Sequence, residues 1–161
     1  MSFDIPPTAS LLVDTNLLVL FVVGAVNRNR IATFKRTRQY TKADYDLLLR
    51  VLQGFKRLYT VAHVMAEVSN LSDLVGAEGR QARLVLKEYI SLMDEAEMPS
   101  ARAADDRLFV RLGLVDAAIS AVARAHGCAV LTDDLDLYLE LCRNKVTALN
   151  FSHVRERSWG V

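Results

Sequence analysis

The stretch LLVDTNLLVL, residues 11–20, places a single carboxylate, Asp14, between two blocks of aliphatic side chains. An ionised carboxylate in apolar surroundings is costly unless it is hydrogen-bonded, paired, bound to a cation or protonated. The five residues SLLVD read as a short buried strand that ends in an acid, and TNLLVLFVVGAV continues as a helix apolar on nearly every face. Asp14 therefore stands where a strand turns into a helix. Taken alone, its simplest role is to cap that helix.

The same design returns later in the chain. CAVLTDD, residues 128–134, is an apolar strand running into carboxylates, and LDLYLELCRN after it reads as a helix. Between the two lie further alternations. TKADYDLLLRVLQGF predicts a helix opened by a Thr41–Asp44 capping box and closed by Gly54. RLYTVA reads as a strand, HVMAEVSNLSDL as a helix, and GRQARLVLKEYISLMDEAE as one long amphipathic helix. Pro99 interrupts, followed by a short strand or loop, and LVDAAISAVARAHG predicts a helix with Asp116 in its first turn and Gly127 at its end. VTALNFSHV reads as a last strand ahead of a polar tail. Strands alternating with helices predict a parallel sheet covered on both faces, a three-layer α/β/α domain.

Composition bounds the rest. A chain of 161 residues with 52% hydrophobic and 24% charged residues suits a single domain over residues 1–161, with a core from about 10 to 154. The formal charge of +1 leaves no global field toward nucleic acid or membrane, so any basic surface is local. Leu17–Val26 is half the length of a membrane span, which points to core and no membrane association. Cys128 and Cys142 form no CxxC pair, and MSFDIPPTAS lacks the charged start and apolar centre of a signal peptide. Free thiols in a reducing cytoplasm are the expectation.

Open parallel sheets bind ligands beyond the carboxyl ends of their strands. Asp14 and Asp134 leave such ends, and Glu67 and Asp116 lie on helices that begin at the same edge. Four acids together repel one another, and a divalent cation removes the conflict. Oxygen ligands with no histidine or cysteine beside them suit Mg²⁺ or Mn²⁺ rather than zinc. His63, His126 and His153 have no ligand spacing and read as structural.

With these residues in view, VDTN after a strand, VMAEVSN and GLVDAAISAVAR on helices, and VLTDD after a later strand resemble the four acidic motifs of the PIN-domain nucleases. The order agrees over about residues 11–150, and the pattern is similar to the VapC-type toxin ribonucleases of toxin–antitoxin modules. The resemblance implies a PIN-like fold and an endoribonuclease that hydrolyses phosphodiester bonds of single-stranded RNA with Mg²⁺ or Mn²⁺. It assigns Asp14, Glu67, Asp116 and Asp134 as catalytic metal ligands, Asp134 by the pattern Thr, any residue, Asp. Asp133 and Asp136 stand close enough to leave that fourth position open. Thr15, Asn16, Asn70 and Thr132 would orient the acids or a water. A small antitoxin protein is the partner the toxin version implies, and part of the uncharged face of TNLLVLFVVGAV, otherwise core, offers a homodimer surface.

Residues 27–55 form a basic and helical insertion longer than in compact toxin members. Within it Arg28, Arg30, Lys35, Arg36 and Arg38, interleaved with Phe34 and Tyr40, suit RNA phosphates and stacked bases, or else a solvated loop. The alternatives to a toxin are a PIN nuclease of RNA processing or defence, and an inactive RNA- or protein-binding module. A haloacid-dehalogenase phosphatase, which needs a second Asp two positions after the first, is disfavoured by Asn16.

Overall fold

The computed structural model describes residues 10–160, so the expected lead-in at residues 1–9 lies outside the described residues. Five parallel strands form one sheet in the order β3-β2-β1-β4-β5: β1 Ser10–Val13, β2 Arg57–Val61, β3 Asp94–Ala96, β4 Ala129–Thr132 and β5 Ala148–Asn150. In register, Leu12 lies beside Tyr59 on β2 and Val130 on β4. Parallel neighbours cannot be joined by tight turns, so helices carry every crossover and cover the sheet, as expected for a three-layer α/β/α fold.

The central strand is buried from Leu11 to Val13, with Leu11 and Leu12 fully enclosed. Helix α1, Thr15–Val26, follows it with only one residue between, and packs against α2 Lys42–Gln53, α3 Ala62–Leu71 and α4 Gly76–Leu92. A helix surrounded on so many sides must be apolar on most of them, and Leu17, Leu18, Val19, Leu20, Val22 and Val23 are all buried. Gly24 lets α2 approach: a Cβ there would stand 2.3 Å from the Tyr45 ring.

The segment after α1 makes a 3₁₀ turn at Arg28–Arg30 and then a run of turns up to α2. The Thr41 capping box on α2 is formed in both directions, and the helix ends at Gly54. Beyond β3 come the short helices α5 Ser100–Ala104 and α6 Phe109–Leu112, then α7 Leu114–His126, closed by Gly127 at φ 63. Helix α8, Leu135–Arg143, and α9, Phe151–Trp159, follow β4 and β5.

Three boundaries differ from those expected. The long helix ends at Leu92, and the expected helical tail MDEAE instead contains strand β3. The strand so lies before Pro99, and a helix, not a strand or loop, follows it. The last strand is only Ala148–Asn150; the Asn150 side chain accepts from the His153 amide, and the polar tail folds as α9.

Candidate active site

The chain passes from β1 outward to β2 and β3, then returns to the other side of β1 for β4 and β5. The order reverses between β1 and β4, and a crevice at such a reversal is where open parallel sheets hold ligands. Asp14 stands at the carboxyl end of β1 and Asp134 two residues beyond β4.

Asp14 is 5% exposed and accepts two hydrogen bonds, from the Thr15 amide to Oδ1 at 2.6 Å and from the Thr132 hydroxyl to Oδ2 at 2.7 Å. The first makes it the N-cap of α1. Each oxygen keeps a second lone pair free, so capping does not exhaust the carboxylate. Thr132, fully buried, also accepts from the Asp134 amide at 3.0 Å. Asp134 is exposed; one of its oxygens caps α8 through the Leu137 amide. On the other side of Asp14, the Thr15 hydroxyl donates to Glu67 Oε2 at 2.7 Å. Asp116 is half-buried in the first turn of α7, a helix that contacts α3.

Burial is the main reason that Asp14 is raised to about 6, with the negative charges of Asp134 and Glu67 adding to it against the two hydrogen bonds. Asp116 is raised to about 7, again chiefly by loss of water and then by Asp14, Asp134 and Glu67. The four acids thus share one electrostatic environment and make it hostile to further negative charge. Among the described residues no three acidic, histidine or cysteine side chains are already gathered into a closed metal cage. Drawing the acids around one ion takes side-chain rotation, which the partly exposed Glu67 and Asp116 and the exposed Asp134 have room to make. An all-oxygen donor set under mutual repulsion fits a hard divalent cation.

Of the supporting residues expected, Thr15 and Thr132 bond directly to acids, whereas Asn16 and Asn70 are exposed and share no hydrogen bond with them among the described residues. Asp133 is engaged elsewhere, its Oδ1 accepting from the Ser152 hydroxyl at 2.7 Å, and Asp136 lies beside Arg111. Neither Tyr40 nor Ser152 was expected at this edge. Tyr40 is buried and packs edge-on against Phe151, its hydroxyl held protonated by burial first and then by Asp133 and Asp14. Phe34 is buried as well, which corrects the expectation that Phe34 and Tyr40 are offered to stacked bases: both are core. The three-residue spacing of Ile31, Phe34, Thr37 and Tyr40 among mostly polar residues, with all four buried in the fold, was the available signal.

The basic segment is largely neutralised. Arg28 pairs with Asp46 at 2.6 Å and covers the Tyr45 ring, Arg30 pairs with Glu78 at 2.9 Å, and Lys35 with Asp73 at 2.8 Å. Arg36 and Arg38 are exposed and form no ion pair among the described residues. No described helix is long and apolar enough to cross a membrane.

Comparison with known proteins agrees with this fold. The family model of the PIN domain matches residues 11–139, and the chain belongs to the PIN domain family. PIN domains are in general nucleases, hydrolases that typically use divalent metals. No curated protein matches the chain. Its fold is similar to that in the crystal structure of PAE2754 from Pyrobaculum aerophilum, at 19% identity and a TM-score of 0.54, over 95% of this chain and 97% of that one.

Proposed function

We propose that the protein is a Mg²⁺- or Mn²⁺-dependent endoribonuclease acting on single-stranded RNA in the cytoplasm. The observation that carries this reading is the linkage of acids at the sheet's reversal, Asp134 to Thr132 to Asp14 and Thr15 to Glu67, in a PIN domain. Asp14, Glu67, Asp116 and Asp134 would hold the cation. When bound, such an ion activates water and steadies negative charge growing on the scissile phosphate. Thr132 fixes the Asp14 carboxylate, and Thr15 orients Glu67 toward the shared space. Asp134 is favoured over Asp133 and Asp136 as the fourth acid, because Asp133 is bound to Ser152 and Asp136 faces Arg111. Arg36 and Arg38 are the members of the basic segment that retain uncompensated charge for RNA phosphates; Arg28, Arg30 and Lys35 would have to leave acidic partners.

The test is cleavage of a labelled single-stranded RNA with Mg²⁺, with Mn²⁺ and with EDTA. Metal-dependent products ending in 5′-phosphate and 3′-hydroxyl are expected; no cleavage under any of these conditions would defeat the reading. A toxin role, with a small antitoxin partner and a homodimer, is a narrower version. It requires growth arrest on expression and relief by a co-encoded small protein. Unaffected growth with active protein present would favour RNA processing or defence.

A further inference from the structure

We infer that Arg155, with Ser152 beside it, grips a backbone phosphate of the RNA on the β5 flank of the acidic edge. This rests on the nuclease reading above. Helix α9 lies beyond the residues that the family model matches. Its first turn reaches the site directly: the Ser152 hydroxyl donates to Asp133, the residue before Asp134. One turn on, Arg155 places one amino group 3.4 Å from the Ser152 oxygen and the other 3.6 Å from Asp44 Oδ2. Both contacts are long beside the 2.6 to 2.9 Å of Arg28, Lys35 and Arg57 with their acids.

The buried Asp44 Oδ1 has no hydrogen-bond partner among the described residues, and Arg155 approaches Oδ2 instead. That oxygen already receives the Thr41 amide at 2.7 Å and the Thr41 hydroxyl at 3.0 Å. The guanidinium carries five N–H donors in a planar fork, and among the described residues two long contacts leave most of them unused. Its side chain is 31% exposed. A fork held in place by neighbours but unsaturated suits the paired oxygens of a phosphate, which it can bind through two parallel hydrogen bonds. An RNA strand lying across the acidic edge brings such phosphates at regular intervals.

The experiment separates phosphate binding from neutralisation of buried Asp44. Arg155→Gln, Asp44→Asn and the double variant are compared with the wild type in two measurements on full-length protein. One is fluorescence anisotropy with a labelled single-stranded oligoribonucleotide in EDTA; the other is steady-state cleavage of it in Mn²⁺. Asp44→Asn keeps the capping geometry and removes the competing charge, so its affinity should equal or exceed that of the wild type. Adding Arg155→Gln to it should weaken binding at least fivefold, raise KM similarly and leave kcat within twofold. Equal affinity of the double variant and Asp44→Asn would overturn the inference while leaving the nuclease reading intact. A wild-type protein that neither binds nor cleaves the RNA would overturn both.

Discussion

Thr132 donates its hydroxyl to Asp14 across 2.7 Å although 118 residues separate them, joining the ends of β4 and β1. The same oxygen accepts the Asp134 amide, so one buried side chain sets two acids at once. Thr132→Val keeps the shape and removes both bonds. Partners of this kind typically govern 10- to 100-fold in metal affinity or activity, about that loss is expected here, and Thr132→Ser should restore most of it. Mn²⁺ titration beside cleavage rates checks it; an unchanged Mn²⁺ affinity would remove Thr132 from the site.

Asp14→Asn retains the cap on α1, since Asn caps about as well as Asp, but discards the charge. Cleavage should fall at least about 100-fold with the protein folded, because the carboxylate's charge is what holds a divalent cation. Asp116→Asn should behave likewise. A folded Asp14→Asn protein with full activity would reduce Asp14 to a helix cap.

The metal-free protein should lose stability as pH rises. Asp14 and Asp116 release their protons at about 6 and about 7 in the fold, against 3.8 ordinarily. Below about pH 4 both states are protonated and nothing is lost; between about 4 and 7 the folded state holds more protons than the unfolded, so stability declines with pH and then levels. Mn²⁺ takes over from the protons, and its stabilisation should grow through the same window. Thermal melting in EDTA and in Mn²⁺ from pH 4 to 8 reads both curves, and a metal-free melting temperature that climbs over that range would contradict the assignment.

Within the basic segment, charge should count only where it is uncompensated. Neutralising Arg36 and Arg38 together should weaken RNA binding and reduce the salt slope by roughly 1.4, the value for two phosphate contacts on a single strand. Neutralising Arg28 and Arg30 should instead release Asp46 and Glu78 and change the slope little. Identical slopes for the two double variants would show that the ion pairs do not govern binding.

Gly24→Ala gains helix propensity but sets its methyl against the Tyr45 ring. Overpacking of this kind costs about 1 to 3 kcal/mol, which should outweigh the roughly 1 kcal/mol gained by replacing glycine in a helix. A melting temperature at or above that of the wild type would mean that Tyr45 moves aside freely.

Much of this architecture is legible in the primary structure. Strands such as SLLV and AVLT are apolar on both faces because helices cover both, and the acids follow them directly. Glu67 stood out because it interrupts an apolar helix. Strand β3 was hidden because DEA is short, lies at an edge and has two exposed residues, so it carries no burial pattern. Helix α9 was hidden because only Phe151 and Val154 are buried along it. The basic segment misled for a different reason: its acidic partners Asp46, Asp73 and Glu78 arrive from outside the run, and proximity in sequence says nothing of them.

The reversal of strand order also governs when this molecule comes into being. As the chain is made, β1 first acquires β2 on one side, while its other edge waits for β4 to emerge more than a hundred residues later. Until then a row of backbone donors and acceptors in the most apolar strand is open to wrong partners. The acidic edge cannot exist in a partial chain, because Thr132 and Asp134 arrive with the strand that closes the gap. A nascent chain held short of β4 therefore lacks the acidic edge and leaves one side of β1 open at once, and the strand that closes that side is the one that brings Thr132 and Asp134 into place.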